Sequence, residues 1–285
     1  MKNSNWPNKE TKIFISMALN PGNTGSILHN SLFKILNLNS VYLPLKVTSL
    51  NQAKKILKSF NFAGCSLSMP YKEKLLKSVD KLDVNAKKIG SINTILRKKN
   101  KLIGFNTDYY ASKEIFKKQN LPKKSKILIL GCGGVARAII QSLIDLKYKK
   151  IFVCTRNKKK FKKFEHKNII KNVSWKMRNK VTCDILINTT PLGMFGKFSK
   201  KTPIYLSKKF FPKLIYDLPV NPKRNYLYKI SKKQNINYIS GLKSSYYQGI
   251  KQFEIYNNLK LKLKTLKKLK INLNWKFIFN EKKKY

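Results

Sequence analysis

The sequence has very few acidic residues and very few histidines. Among 285 residues there are 12 Asp and Glu and two His, against 62 Lys and Arg, so the formal net charge is +50. The two histidines, His29 and His166, are too few for a histidine-based metal centre, and the four cysteines form no Cys-x-x-Cys pair. We therefore expect no metal site, and we expect the thiols to be reduced, as is typical of a reducing compartment. We expect His29 to make a local hydrogen bond where a loop meets a helix.

The sequence also lacks a long apolar run. The run nearest the N-terminus, residues 13–19, is only seven residues long, which is too short to cross a membrane, and no small-residue cleavage site follows it. We therefore expect a cytoplasmic protein with no membrane partner. Hydrophobic residues make up 42% of the chain, which is enough for a core in one large domain or two ordinary ones.

Arginine is scarce although the chain is strongly basic. Five of the 62 basic residues are arginine and 57 are lysine. Such a charge is typical of nucleic-acid binding, but a dedicated binder uses more arginine for bidentate contacts. The lysines are spread over the whole chain, and the abundant Lys, Asn, Ile, Phe and Tyr are favoured by A+T-rich codons. We interpret the charge as compositional drift, and nucleic acid is not the expected partner. The positive field would still attract anionic small molecules.

The first 108 residues alternate between short apolar runs and helical patterns. The runs predict strands at 12–19, 41–47, 65–69, 92–96 and 101–105, the last two as a hairpin. Apolar spacing predicts helices at 26–36, 50–60 and 71–89. The alternation favours an α/β fold with a mostly parallel sheet and helices on both faces.

A glycine loop follows the next predicted strand. Residues 126–130 (KILIL) read as a buried strand, 131–136 (GCGGVA) as a loop, 137–146 as a helix and 151–154 as another strand. Strand, G-x-G-x-x-A, helix and strand in this order are typical of a dinucleotide-binding unit. Further strands are expected at 184–188, 214–218 and 238–240, and a long helix at 246–259.

Each small residue of this loop has a distinct physical use. Gly131 permits the tight turn, Gly133 lets backbone N–H groups approach a pyrophosphate, and Ala136 allows close packing of helix and strand. The pyrophosphate would lie at the helix N-terminus, where free amides and the dipole favour negative charge. The other residues of the predicted cofactor loop are Cys132, Gly134 and Val135.

The end of the second strand indicates which cofactor is bound. An NAD site places Asp or Glu there to bind the ribose 2′-hydroxyl, whereas this chain has Thr155, Arg156 and Asn157, followed by three lysines. An arginine can stack on adenine and pair with a 2′-phosphate. The segment therefore predicts NADP as the cofactor. The three lysines alone would indicate only more basic surface.

Three polar segments indicate a second site. They are 66–73 (SLSMPYKE), 91–94 (SINT) and 104–108 (GFNTD), each at a predicted strand end or loop. Reduction of a carbonyl needs a hydride donor beside the carbon and an acid near the oxygen. Lys72 could supply the proton, and Asp108 could orient Lys72 and balance its charge.

Eight motifs occur in one order: SMPYKE, SINT, GFNTD, GCGGVARA, TRN, INTTPLGM, YDLPVNP and GLKSSYYQG. Together they resemble the shikimate dehydrogenase family over roughly residues 12–258. The resemblance implies an N-terminal α/β substrate domain (1–108), an NADP-binding Rossmann domain (109–240), and a C-terminal helix that returns to the first domain, followed by a Lys-rich tail (241–285). The implied reaction is the reversible, NADPH-dependent reduction of 3-dehydroshikimate to shikimate.

The resemblance also implies roles for single residues. Lys72 and Asp108 match the catalytic pair. Substrate contacts are implied for Ser68, Asn93 and Gln248, and for Ser66, which stands where the family usually has an asparagine. Cofactor contacts are implied for Leu218 and Gly241.

Some positions depart from the family pattern. Two serines that bind the substrate carboxylate are replaced by Asn23 and Gly25, with hydroxyls one residue away at Thr24 and Ser26. Val220 replaces a substrate-contacting tyrosine. These changes resemble the divergent shikimate dehydrogenase-like branch, so quinate or a related polyol remains an alternative substrate. A basic, non-enzymatic nucleic-acid-binding protein is a more distant alternative, and pairing with a second copy of the chain as a homodimer is left open.

Overall fold

The computed structural model describes residues 7–157, 161, 168–194, 198–206, 211–219 and 225–273. Val220 and the three lysines after Asn157 lie outside the described residues. The chain divides into two compact units. Unit 1 comprises the described residues up to Ala111 together with those from Ser245 onward, and unit 2 comprises Ser112–Ser244.

Unit 1 is built on a six-stranded sheet. Its strands, in chain order, are β1 (Lys12–Ala18), β2 (Ser40–Lys46), β3 (Gly64–Leu67), β4 (Lys81–Leu82), β5 (Thr94–Lys98) and β6 (Lys101–Phe105). The spatial order is β2-β1-β3-β5-β6-β4. The pairs β1–β2, β1–β3 and β4–β6 are parallel, and the pairs β3–β5 and β5–β6 are antiparallel. The α/β alternation is confirmed, and the hairpin makes the sheet mixed.

The helices of unit 1 follow its strands. They are α1 (Thr24–Ile35), α2 (Leu50–Ser59), α3 (Tyr71–Lys74), α4 (Val84–Ile89) and α5 (Thr107–Lys118). Apolar side chains from the sheet and helices, including Ile15, Leu57 and Ile95, form one buried cluster. This core supports the carboxyl end of β3, where the polar segments begin.

The prediction of one helix over 71–89 is wrong. The segment contains α3, a 3₁₀ turn at Leu76–Ser78, the short strand β4 and then α4. Two aspartates explain the interruption, because their carboxylates bond to backbone N–H groups outside a continuous helix. Asp80 accepts from Leu102 N at 2.6 Å, and Asp83 accepts from Ala86 N at 2.8 Å as the N-cap of α4.

Unit 2 is a doubly wound parallel sheet. Its strands are β7 (Lys126–Leu130), β8 (Lys150–Thr155), β9 (Ile170–Ser174), β10 (Ile185–Asn188), β11 (Leu214–Asp217) and β12 (Asn237–Ser240). The spatial order is β12-β11-β10-β7-β8-β9, with every neighbouring pair parallel. This is the strand order of the Rossmann fold. The continuous apolar runs of β7 and β10 fit strands buried on both faces.

Helices complete unit 2 and link the two units along the chain. Unit 2 contains α6 (Gly134–Asp145) and α7 (Tyr226–Lys233), while α5 and α8 (Gly241–Asn257) contribute residues to both units. The basic segment after α8 forms α9 (Leu263–Asn272), which packs on α1. Within the described part of the chain, no helix combines the length and apolar character needed to cross a membrane.

We expect the α4 cap to contribute measurably to stability. Replacing Asp83 by alanine removes a side-chain acceptor for the first-turn amides and should lower the free energy of unfolding by about 1 kcal/mol. Asp83→Asn keeps an acceptor and should stay close to the parent protein in urea unfolding. Equal losses in the two variants would show that the cap is not the source of the effect.

Candidate active site

The structure brings Lys72 and Asp108 into direct contact. Lys72 Nζ donates to Asp108 Oδ2 at 2.6 Å, and the two side chains are 15% and 8% exposed. Lys72 lies in α3, and Asp108 lies in the first turn of α5. Because the pair is largely shielded from water, it is screened less by salt than a surface pair would be.

Backbone contacts fix both partners. The carbonyl of Lys72 accepts from Ile92 N at 2.9 Å, which ties α3 to the SINT segment. Asn106 precedes α5, where its side chain donates to Ser91 O at 2.8 Å and accepts from Tyr109 N. Two predicted segments are therefore joined to the segment that carries the lysine.

Asn93 and Gln248 form a second polar pair. Asn93 Nδ2 donates to Gln248 Oε1 at 2.9 Å. Asn93 Oδ1 accepts from Thr107 N at 2.7 Å, and Thr107 immediately precedes Asp108. Asn93 also follows Ile92, which bonds to Lys72. The pair is thus coupled through the backbone to both members of the Lys72–Asp108 pair.

Ser66 and Ser68 differ sharply in their surroundings. Ser68 is exposed, at the end of β3. Ser66 is buried, and its hydroxyl bonds to Tyr42 Oη, Gln252 Oε1 and Tyr256 Oη at 2.8, 3.2 and 3.0 Å. A hydroxyl has one donor and two acceptor sites. These three bonds therefore leave Ser66 with no hydrogen-bonding capacity for a ligand.

Asn23 and Gly25 lie at the start of α1. Asn23 is exposed and is the N-cap residue, although its side chain makes no capping bond. A Cβ at Gly25 would lie 3.1 Å from Tyr42 Oη. The neighbouring Ser26 hydroxyl donates to Tyr42 O and accepts from Asn30, so it is already engaged.

His29 is buried among aromatic rings. Its ring stacks on Tyr42 with centroids 4.5 Å apart, and Phe253 and Tyr256 are also neighbours. The expected local hydrogen bond is wrong, because within the described residues neither ring nitrogen has a partner of standard geometry. Burial lowers the pKa of His29 to about 4, and the nearby polar side chain of Gln252 only partly offsets this decrease.

The glycine turn of unit 2 lies between β7 and α6. Gly131 has φ +108°, and a Cβ there would overlap Thr189 Oγ1, so both backbone conformation and space require glycine. Gly133 faces open space and is the N-cap of α6, which has no side-chain cap. The helix begins at Gly134, earlier than the predicted 137, so Val135 and Ala136 belong to its first turn. Cys132 is buried.

The end of β8 presents an exposed arginine. Thr155 Oγ1 accepts from Asn157 N at 3.1 Å, which closes a small turn around Arg156. Thr155 is buried, whereas Arg156 and Asn157 are exposed. No acidic residue stands among these three, so nothing there matches the acid of an NAD site.

Leu218 and Gly241 meet at the far strands of unit 2. A Cβ at Gly241 would overlap the carbonyl oxygen of Leu218. The close approach of these two backbones therefore requires a residue without a side chain where α8 begins.

Two of the motifs, INTTPLGM and YDLPVNP, contribute residues to a buried hydrogen-bond network in unit 2. Asp217 is fully buried and accepts from Asn188, Asn225 and Tyr238 at 2.7, 2.6 and 2.9 Å. Burial raises the pKa of Asp217, and the three donors oppose that shift. This carboxylate ties β10 and β11 to β12 and to the start of α7.

Five residues that support Asn93 or Ser66 were not singled out from the sequence. Thr94, Thr107 and Gln252 bond to Asn93, and Tyr42 and Tyr256 bond to Ser66. A usable signal was present, because Gln248, Gln252 and Tyr256 recur every fourth residue along one helix and so lie on one face.

Comparison with known protein families matches residues 24–95 to the shikimate dehydrogenase substrate binding domain. A curated relative, shikimate dehydrogenase (NADP(+)) of Clostridium perfringens strain SM101, is 34% identical over 256 residues. The match covers 88% of this chain and 93% of the relative.

Solved structures agree with this relationship. Shikimate dehydrogenase 1 from Peptoclostridium difficile superposes with a TM-score of 0.80 at 27% identity, covering 94% of this chain and 99% of that one. A shikimate dehydrogenase solved in complex with NADP+ superposes with a TM-score of 0.78, also at 27% identity, covering 94% and 97%.

The buried His29 generates a pH prediction. Its pKa is about 4 in the folded chain, whereas that of an ordinary histidine is 6.5, so between these values the unfolded chain binds more protons. Stability should therefore fall as the pH decreases through this window, by about 3 kcal/mol in full. Between about pH 7 and about pH 5, His29→Leu should remove ~2 kcal/mol of the decrease in unfolding free energy.

The free energy of unfolding is measured by urea titration at several pH values, and the readout is the slope of this free energy against pH. The slope separates the titration from any packing cost of the substitution, because a packing cost is the same at every pH. Identical slopes for the parent protein and His29→Leu would contradict the prediction.

Proposed function

We propose that this chain, which belongs to the shikimate dehydrogenase family, catalyses the reversible, NADPH-dependent reduction of 3-dehydroshikimate to shikimate. The observation that carries the proposal is the 2.6 Å contact between Lys72 and Asp108, coupled through the backbone to the Asn93–Gln248 pair. The relative from Clostridium perfringens carries the NADP(+)-dependent activity in its name. The Rossmann strand order of unit 2 supports the same activity.

In this proposal Lys72 transfers the proton and Asp108 orients Lys72. An ammonium group has three hydrogens, of which Asp108 accepts one and thereby sets the direction of the other two. One of these passes from Lys72 Nζ to the carbonyl oxygen during reduction. In the reverse direction, the amine takes the proton from the hydroxyl, and Asp108 balances the charge that returns.

The residues of unit 2 fit NADP. The open space at Gly133 and the uncapped N-terminus of α6 suit a pyrophosphate, and the exposed Arg156 suits a 2′-phosphate. When bound, NADP supplies or accepts the hydride. The further cofactor contacts in this proposal are Gly131, Cys132, Gly134, Val135, Ala136, Thr155, Asn157, Leu218 and Gly241.

The substrate contacts come from unit 1. Asn93 and Gln248 offer amide N–H groups to the substrate hydroxyls, and the exposed Ser68 offers a hydroxyl. The segment Asn23–Gly25 would anchor the carboxylate at the N-terminus of α1, where the helix dipole favours negative charge. Ser66 is left out of this set because its hydroxyl is saturated.

A related polyol dehydrogenase is the second candidate. It is favoured by the altered anchor, since Gly25 has no hydroxyl and that of Ser26 is engaged with Tyr42 and Asn30. Comparing kcat/KM for shikimate and quinate, each with NADP+ and NAD+, separates the two. A higher value for quinate would replace shikimate as the substrate while leaving the Lys72–Asp108 chemistry in place.

We expect Lys72→Ala to lower kcat by a factor on the order of 100 to 10,000, because general acid–base groups contribute that much. NADPH affinity, measured by fluorescence titration, should change little, because the cofactor residues lie in unit 2. Asp108→Asn keeps the size of the side chain but removes its charge, and it should also lower kcat.

The matched control is Lys74→Ala. Lys74 is exposed and lies in the same short helix, so the substitution makes the same change in charge and length away from Asp108. It should leave kcat near the parental value. Near-normal turnover of Lys72→Ala would refute the role of Lys72.

Cofactor choice is tested at Arg156. Arg156→Gln should lower kcat/KM with NADP+ by about tenfold to 100-fold, because a charge-assisted hydrogen bond contributes about 1.5–3 kcal/mol. The value with NAD+, which has no 2′-phosphate, should change far less. Lys150→Gln is the control, since it removes one charge at the opposite end of the same strand. Equal losses with both cofactors would contradict the role of Arg156.

A further inference from the structure

The face of α8 that points into unit 1 carries a polar stripe. Gln248, Gln252 and Tyr256 follow one another at intervals of four residues, so they lie along one side of the helix. Gln252 is 3% exposed and has no place in the proton or hydride chemistry. A buried amide is costly unless it is hydrogen-bonded, so its partners matter.

Gln252 bridges two residues that face each other across the sheet. Ser66 of β3 and Thr94 of β5 are register partners in an antiparallel pair, so their side chains lie on the same face. Ser66 Oγ donates to Gln252 Oε1 at 3.2 Å, and Gln252 Nε2 donates to Thr94 Oγ1 at 3.0 Å. The second Nε2 hydrogen goes to Asn93 O at 3.2 Å.

The hydrogen bonds beyond Ser66 and beyond Thr94 extend this chain, and each one donates in the same direction along it. Tyr42 Oη donates to Ser66 Oγ at 2.8 Å, Thr94 Oγ1 donates to Asn93 Oδ1 at 3.0 Å, and Asn93 Nδ2 donates to Gln248 Oε1 at 2.9 Å. We call this path the Gln252 relay, and its members in order are Tyr42, Ser66, Gln252, Thr94, Asn93 and Gln248.

In each hydrogen bond of the relay, the donor is determined by the bond before it. Ser66 has one hydroxyl hydrogen, and Gln252 Oε1 accepts it. Tyr42 and Tyr256 are therefore the donors in their bonds to Ser66. The bond from Ser66 to Gln252 Oε1 turns the Gln252 amide nitrogen toward Thr94. Thr94, having accepted that hydrogen, donates its own to Asn93.

The relay ends at the amides that face the substrate in our proposed function. Asn93 Oδ1 is held by Thr94 and by Thr107 N, so the Asn93 nitrogen faces Gln248. Gln248 Oε1 is occupied by that nitrogen, which leaves Gln248 Nε2 for a substrate oxygen. Thr107 N and Thr107 Oγ1 also donate to Asn93 Oδ1, at 2.7 and 3.1 Å. The relay therefore contributes to the orientation of both amides together with Thr107.

We propose that Gln252 is a positioning residue for substrate binding, which sets the direction of the relay and thereby presents the N–H groups of Asn93 and Gln248 to a substrate hydroxyl. Gln252 does not itself touch the substrate. The inference rests on the proposed function, because Asn93 and Gln248 enter it as the substrate contacts.

The primary test is Gln252→Leu, which fills similar space with an apolar side chain but removes the three hydrogen bonds of the Gln252 amide. KM for shikimate should rise by about threefold to tenfold, the range expected for a net hydrogen bond. KM for NADP+ should be unchanged and kcat should stay within about twofold, as expected when only substrate binding is lost. Phe253→Leu is the control, since it disturbs the same buried helix without breaking the relay.

A double-mutant cycle distinguishes positioning from general loosening. Gln248→Ala should raise KM for shikimate in the parent enzyme and in Phe253→Leu, but should add little in Gln252→Leu, where Gln248 is no longer oriented. Non-additivity of this kind is the signature of residues that act through one network. Additive effects in the Gln252→Leu background would overturn the inference.

A second pair of variants tests the next link and guards against misfolding of Gln252→Leu. Thr94→Val removes the hydroxyl and should raise KM for shikimate as Gln252→Leu does. Thr94→Ser keeps the hydroxyl and should have the KM of the parent enzyme. A parental KM in Thr94→Val would overturn the inference. A parent enzyme without shikimate activity would instead contradict the proposed function.

Discussion

The hydrogen bonds of Asn93 are the interaction on which the candidate site depends. Its side-chain oxygen holds the first amide of α5, and its nitrogen holds Gln248 of α8. The preceding residue, Ile92, holds the carbonyl of Lys72. A displacement of this one strand end would move Lys72, Asp108 and the side-chain amide of Gln248 together.

The same constraint organises unit 2. Buried polar groups must be satisfied, and the fully buried Asp217 is satisfied by three donors from different elements. The carboxylate thereby holds the ends of neighbouring parallel strands together. In both units, therefore, buried polar side chains of the motifs hold neighbouring elements together.

The sequence was most informative where a residue type has a single strong physical use. The glycines after β7, the missing acid after β8 and the polar ends of β3, β5 and β6 all predicted local structure or chemistry. It was least informative where competing local contacts decide the outcome. The helix predicted over 71–89 is broken because Asp80 and Asp83 bond to backbone amides. Strand β9 was missed because only Ile170 of its five residues is buried, so the edge strand has little apolar pattern.

By itself, the sequence determined the α/β class, the dinucleotide-binding turn and the candidacy of Lys72 and Asp108, because each was read from the order of short local patterns along the chain. Only the tertiary structure decided that the hydroxyl of Ser66 is saturated, that His29 is enclosed by aromatic rings, and that Gln252 connects Ser66 to Thr94. These outcomes depend on contacts between residues distant in the chain, such as the hydrogen bond between Ser66 and Tyr256, which are 190 positions apart. No local pattern encodes which buried donor meets which acceptor, since that is settled only when strands and helices pack.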